Sequence, residues 1–276
     1  MALCFDLNAD LGESFGPWRM GLDERVIRFV TSANIACGFH AGDPATMRRT
    51  VCLAEEAGVG IGAHPGFPDL RGFGRRALAA SPAEVRDDLV YQIGALTAFT
   101  RAKKLQHVKP HGALYNMAVP GGELAAAIAE AVLEVDPSLI LVALAGSPWA
   151  DEAERMGLRV AREAFADRAI QADGSLVPRS RPGAVIHDPH EVVERTLRLV
   201  TEGTMVAITG EAVELSADTL CLHGDTPDAV GLASALRAAL EGAGVAGQQD
   251  AELRQSKPIG RNSMPAPSSA ARRADA

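Results

Sequence analysis

The sequence predicts a single TIM-like (β/α) barrel of about seven parallel strands over residues 1–246, and three observations lead there. Apolar runs alternate with helical patterns along the chain, which calls for parallel pairing through right-handed crossovers. Five helices open with a cap-proline pair: Asp43-Pro44, Ser81-Pro82, Ser147-Pro148, Asp188-Pro189 and Thr226-Pro227. The first residue of each pair can accept from free helix amides, and proline suits a position that needs no N–H. Polar residues also end nearly every strand, and a ring of strand C-termini is where a barrel builds its site. The rival is a doubly wound sheet, but no Gly-x-Gly-x-x-Gly follows the first strand and no single switch point gathers the polar residues.

Residues 3–8 alternate Leu3, Phe5 and Leu7 with Cys4, Asp6 and Asn8. On a strand these form two faces, so Asp6 and Asn8 turn into the barrel and Asp10 follows at its mouth. Residues 12–20 read as a loop over that mouth. The next strand ends at Asn34-Ile-Ala-Cys-Gly-Phe-His40, and Asp43 caps the helix that Gly58 stops. A short strand at 59–63 leads to His64-Pro-Gly-Phe-Pro-Asp69 and then to Arg71-Gly-Phe-Gly-Arg75-Arg76. Arginines among glycines suit a phosphate or carboxylate, although the spacing is no nucleotide fingerprint and a solvated loop explains it equally well.

Ser81-Pro-Ala-Glu84 is a capping box, and its helix is expected to run to about Lys104. His107-Val-Lys109-Pro-His111 follows. His-x-x-x-His suggests zinc only on a helix; on a strand the two residues stand roughly 13 Å apart. Parity instead puts Lys109 and His111 on one inward face. A helix at 121–134, a strand at 139–144, a helix from Ser147 and a strand at 158–164 come next. Asp167 and Arg168 close that strand. The loop at 169–187 is long enough to suggest function. After the Asp188 helix come a hairpin-like piece near Thr209-Gly210, a strand at 219–222 ending in His223-Gly-Asp225, and the last helix. Beyond about Gly247 the chain is poor in apolar residues, so 247–276 is expected to be a disordered, dispensable tail.

The chain has 276 residues, 47% hydrophobic and 22% charged, enough for one sizeable core. A net charge of −8 argues against a nucleic-acid surface. The start lacks a signal-peptide pattern and no apolar run reaches membrane-spanning length, so the expected location is the cytoplasm. The scattered Cys4, Cys37, Cys52 and Cys221 read as reduced thiols. Cys37, near His40, is a minor candidate nucleophile.

The polar strand ends supply general acids and bases, cations for developing negative charge, and possible metal ligands. Hydrolysis or ring-opening at a carbonyl of a small polar substrate fits them. Either a metal or a His/Asp pair could activate the water, and no spacing decides between them. The candidate catalytic residues are Asp10, His40, Lys109 and His111. Asp6, Asn8, Asn34, His64, Asp167, Arg168 and His223 are candidates for substrate binding, and Arg75 and Arg76 for phosphate or carboxylate.

The motifs Phe-Asp-Leu-Asn-Ala-Asp-Leu-Gly-Glu-Ser (5–14), Asn-Ile-Ala-Cys-Gly-Phe-His-Ala-Gly-Asp-Pro (34–44), Gly-Ala-His-Pro-Gly-Phe-Pro-Asp (62–69), Val-Lys-Pro-His-Gly-Ala-Leu-Tyr-Asn (108–116), Glu-Ala-Phe-Ala-Asp-Arg (163–168) and Leu-Cys-Leu-His-Gly-Asp (220–225) resemble the LamB/YcsF family. The resemblance implies a barrel of the glycoside hydrolase/deacetylase type. It also implies cleavage of 5-oxoproline to glutamate coupled to hydrolysis of ATP, with Mg and with B and C partner subunits. The related deacetylases hold a metal with an Asp and a His-x-x-x-His pair, and that ligand set does not carry over to the strand-borne His107 and His111. A lactam gains little strain relief on opening, so coupling to ATP makes chemical sense. The chain has no Walker A motif, which leaves ATP to the partners or to a shared interface. The alternatives are a stand-alone metal-dependent deacetylase and a non-catalytic 5-oxoproline-binding subunit.

Overall fold

The computed structural model describes residues 3–223 and 229–247; the expected tail and the start of the last helix lie outside the described residues. The elements run β1 (Leu3–Leu11), α1 (Asp23–Val26), β2 (Ser32–Ala36), α2 (Pro44–Ala57), β3 (Gly60–His64), α3 (Pro82–Thr97), β4 (His107–Val108), α4 (Gly112–Ala118) and α5 (Glu123–Val135). They continue with β5 (Ile140–Leu144), α6 (Pro148–Arg155), β6 (Arg159–Phe165), α7 (Pro189–Glu202), β7 (Thr204–Val206), β8 (Ala212–Glu214), β9 (Thr219–His223), α8 (Ala229–Gly242) and β10 (Val245–Gly247).

Strands β1 to β6 pair in order, and β9 pairs with both β6 and β1, closing a seven-stranded parallel barrel. The short β10 adds to the start of β1, with Leu3 opposite Val245. The β7–β8 hairpin is antiparallel and stands apart from the barrel. Four of the expected proline starts are real caps. Asp43 accepts from Ala45 and Thr46, Ser81 forms a full capping box with Glu84, and Ser147 and Asp188 accept from Ala150 and His190.

Three local expectations change. Helix α3 ends at Thr97 instead of near Lys104, and short turns fill the gap to β4. Strand β4 has only two residues, and α4 begins where a longer strand was expected, with His111 as its N-cap. The first strand reaches Leu11, so Asp10 belongs to it and does not follow it.

On β1, Phe5, Leu7, Ala9 and Leu11 are buried in the core beneath the helices. Each large side chain there stabilises the fold by about 2 kcal/mol. The opposite face fills the barrel with polar groups, and burying them is tolerable only because they bond to one another. Asp6 accepts from Thr31 Oγ1 at 2.6 Å, Ser32 Oγ at 2.7 Å and Thr219 Oγ1, at the entry ends of β2 and β9. One layer up, Asn8 donates to Thr219 Oγ1 at 2.6 Å and Glu163 Oε1 at 3.2 Å, and Asn34 donates to Asn8 Oδ1 at 2.8 Å. His107 Nε2 meets Asn34 Oδ1 at 2.7 Å. Its ring lies over Gly62, where any Cβ would come within 2.1 Å of it.

Candidate active site

Above the Asn8–Asn34–His107 layer, Asp10 stands near the exit end of β1. Its Oδ1 accepts from Asn34 Nδ2 at 2.9 Å and from Lys109 Nζ at 3.0 Å. Lys109 follows β4 and turns inward. Its ammonium also reaches Glu163 Oε1 at 2.8 Å, Cys221 Sγ at 2.9 Å and Asn8 Oδ1 at 3.3 Å. Burial works against that charge, yet Asp10, Cys221 and Glu163 hold the Lys109 pKa well above its ordinary value. Lys109 is therefore a fixed cation. Its hydrogens are already engaged, and the same contacts that keep it charged tie down Asp10.

Three histidines stand beside this pair. His64 ends β3, and its Nε2 lies 3.3 Å from Asp10 Oδ2. His111 Nδ1 lies 3.0 Å from His64 Nε2, and the His40 ring stacks on His111 at 3.8 Å, nearly parallel. Burial, then mutual repulsion among the histidines, pushes the pKa values of His40 and His111 well below the usual imidazole range. Glu13 joins them, its Oε1 3.7 Å from His111 Nδ1 and 4.0 Å from His40 Nε2. Among the described residues Glu13, His40, His64 and His111 form one group whose ligand atoms lie within 4.8 Å of one another, so it could hold a metal ion. His107 points away to Asn34 and takes no part.

A cleft of about 480 Å³ opens beside these groups. Asp10, His64, Lys109 and His111 line its base, Tyr115 and Phe165 one wall, and Arg75, Arg168 and Arg179 also face it. Arg168 donates to the carbonyls of Val177 at 2.7 Å and Ala184 at 3.2 Å, which holds the 169–187 loop against the barrel. Burial, then the nearby Arg179 charge, lowers its pKa to about 10.

The remaining candidates lie elsewhere. Asp6, Asn8 and Asn34 lie beneath the floor, Asp6 at the opposite end of the strand. Arg76 turns away and pairs with Asp69, whose carboxyl it holds down at about 2. Asp167 is buried behind the wall, its charge acting on Arg168 and Arg195. His223 ends β9 opposite Asp10 in the register; its side chain lies outside the described residues. Cys37 is buried, donates to the Ile35 carbonyl, and is pushed up to about 12 by burial, so it is no nucleophile.

Glycines in the 71–76 loop serve packing. Gly74 has φ +61° and lies so close to the imidazoles that a Cβ there would sit 2.8 Å from His40 Cβ and 2.9 Å from His111 Cδ2. Glu13, Glu163 and Tyr115 belong to the site although none of them was among the candidate residues. For Glu163 a signal existed, because it sits in strand register with Thr219 and so shares the inward face.

The profile of the LamB/YcsF family matches residues 5–255. A protein of Pyrococcus abyssi, named as the A subunit of 5-oxoprolinase, is 58% identical over 242 residues, 87% of this chain and 95% of that one. One of the same name from Syntrophobacter fumaroxidans is 57% identical over 242 residues, 87% and 96% of the two chains. The crystal structure of a lactam utilization protein from Thermus thermophilus superposes with a TM-score of 0.85 at 52% identity, covering 89% of this chain and 99% of that chain.

Proposed function

The chain belongs to the LamB/YcsF family, and from that premise we propose that it is the A subunit of an ATP-dependent 5-oxoprolinase. It would open the lactam of 5-oxoproline to glutamate as ATP becomes ADP and phosphate. The single observation that carries this is Asp10, tethered by Lys109 beside His64 and His111, at the base of a cleft faced by three arginines. A lactam carbonyl is a poor electrophile; phosphorylating its oxygen would let water add. The C–N bond would break as its nitrogen takes a proton, and a second water would release phosphate from the acyl phosphate so formed. Asp10 Oδ2 faces the cleft's imidazoles and is placed to take a proton from attacking water. Lys109 holds Asp10 in place through their 3.0 Å contact and adds positive potential where an oxyanion develops. Arg75, Arg168 and Arg179 suit the substrate carboxylate or a transferred phosphate.

Nucleotide coupling is assigned to a complex with B and C subunits, ATP entering with Mg²⁺ on those partners or at the shared face. No helix among the described residues is long and apolar enough to cross a membrane, which accords with work in the cytoplasm. A second reading, a stand-alone metal-dependent deacetylase, draws on the Glu13–His40–His64–His111 group.

The test is glutamate release from 5-oxoproline by the purified chain alone and with its B and C subunits, with and without ATP. Turnover only in the full complex with ATP is expected. ATP-independent turnover by the chain alone would overturn the proposal, and amide hydrolysis of acetylated sugars by that chain would select the second reading.

A further inference from the structure

We propose that Glu13, His40, His64 and His111 hold a divalent transition-metal ion. The positions of the imidazole protons point to it. His64 Nδ1 lies 2.6 Å from the Lys109 carbonyl oxygen, which can only accept, so Nδ1 carries the proton and Nε2 a lone pair. His111 Nε2 lies 2.8 Å from the Phe73 carbonyl, so its Nδ1 likewise carries a lone pair. These two lone-pair nitrogens face each other at 3.0 Å. With both rings neutral in these tautomers, neither nitrogen has a proton to place in that contact. Carboxylate oxygens stand next to it, Asp10 Oδ2 at 3.3 Å from one nitrogen and Glu13 Oε1 at 3.7 Å from the other. Acceptors crowded this way repel unless a cation lies among them.

A shared proton would satisfy two nitrogens and leave the rest. His40 is fully buried, and among the described residues neither of its ring nitrogens makes a hydrogen bond. Its Nε2 lies 4.0 Å from the same Glu13 oxygen. A metal accounts for all four side chains. Two nitrogens each about 2.1 Å from one ion, at close to a right angle, are about 3.0 Å apart. The carbonyls of Lys109 and Phe73 then act as outer contacts that fix each ring's tautomer and direction. Three imidazoles and one carboxylate suit zinc, manganese, iron, cobalt or nickel, and not magnesium or calcium. An ion there would supply Lewis acidity and lower the pKa of water in the cleft. The metal site adjoins the site of the proposed reaction but does not rest on that reading, since metal content is read without turnover.

The test uses the full chain, expressed without a histidine tag and purified without chelator, with metal measured by plasma mass spectrometry. Metal-free protein is then titrated with Zn²⁺ and with Co²⁺, whose visible absorption reports nitrogen and oxygen ligands. About one ion per chain is expected. Affinity should fall on the order of a hundred-fold or more in His64→Ala and His111→Ala, and hold in His187→Ala, an exposed histidine away from the cluster. Glu13→Gln, which keeps its size, serves if either alanine variant fails to fold by circular dichroism. No binding of any of these ions, or binding that these variants leave unchanged, would overturn the proposal. So would nitrogen NMR showing a proton shared by His64 and His111 that persists in excess Co²⁺.

Discussion

Lys109 Nζ lies 2.8 Å from Glu163 Oε1, and both side chains are closed off from solvent inside the barrel. A buried ion pair is costly to break from one side, because the survivor keeps its charge without its partner. Lys109→Met should therefore destabilise the chain by ~3–5 kcal/mol in urea unfolding. Adding Glu163→Gln to that variant should recover part of the loss. Turnover by the assembled complex should stay low in both, since Asp10 has lost its tether in each. A Lys109→Met chain as stable as the parent would show that the pair does not set the charge balance of the barrel.

Asp10, His40, His64, Lys109 and His111 were legible because each stands at or just past a strand end, where barrel chemistry gathers. Glu163 was harder to find: it lies inside a strand that also carries Arg159 and Arg162, and which face is inward depends on register with β9. Glu13 lies beyond β1, where strand parity no longer applies. Arg75 and Arg76 are indistinguishable in sequence; the fold turns one to the cleft and the other onto Asp69, seven residues back. Helix α4 was hidden because Pro110 suppresses helix at the residue before it but says nothing of the residues after.

Gly74 and Gly58 both have positive φ, +61° and +67°, but only Gly74 touches the imidazoles. Gly58→Ala meets open space and should cost only the backbone penalty, ~1–2 kcal/mol, with turnover unchanged. Gly74→Ala pays the same penalty and also drives a methyl into His40 and His111, a further ~1–3 kcal/mol. Melting temperatures and turnover of the two variants, measured well below either transition, separate the effects. Equal turnover would mean that the stacked histidines tolerate displacement.

His107 is buried against Asn34, and burial, then the Lys109 charge, pushes its pKa down to about 3. An unfolded histidine binds a proton below about pH 6.5, whereas the folded one stays neutral until pH approaches 3. Folding stability should thus fall as pH drops through that window, by up to ~1.4 kcal/mol per pH unit for this group. His107→Gln can keep a bond to Asn34 and cannot titrate, so its stability curve should be flatter by nearly one proton. Urea midpoints at several pH values between 7 and 4 measure the slope. An unchanged slope would mean that His107 takes up its proton without unfolding.

Arg168 and Arg179 both face the cleft, and Arg168 also braces the loop behind it, through the carbonyls of Val177 and Ala184. Arg179→Met should weaken binding of an anionic substrate. A lost charged hydrogen bond of ~1.5–3 kcal/mol corresponds to roughly a ten- to hundred-fold rise in KM. Arg168→Met should raise KM as well, and it also strands two carbonyls on a partly buried loop. Amide hydrogen exchange across residues 169–187 should then quicken in Arg168→Met. The two measurements are independent, so each can fail separately. Slow exchange in Arg168→Met would remove its bracing role, and an unchanged KM in Arg179→Met would take the substrate's negative charge away from this rim.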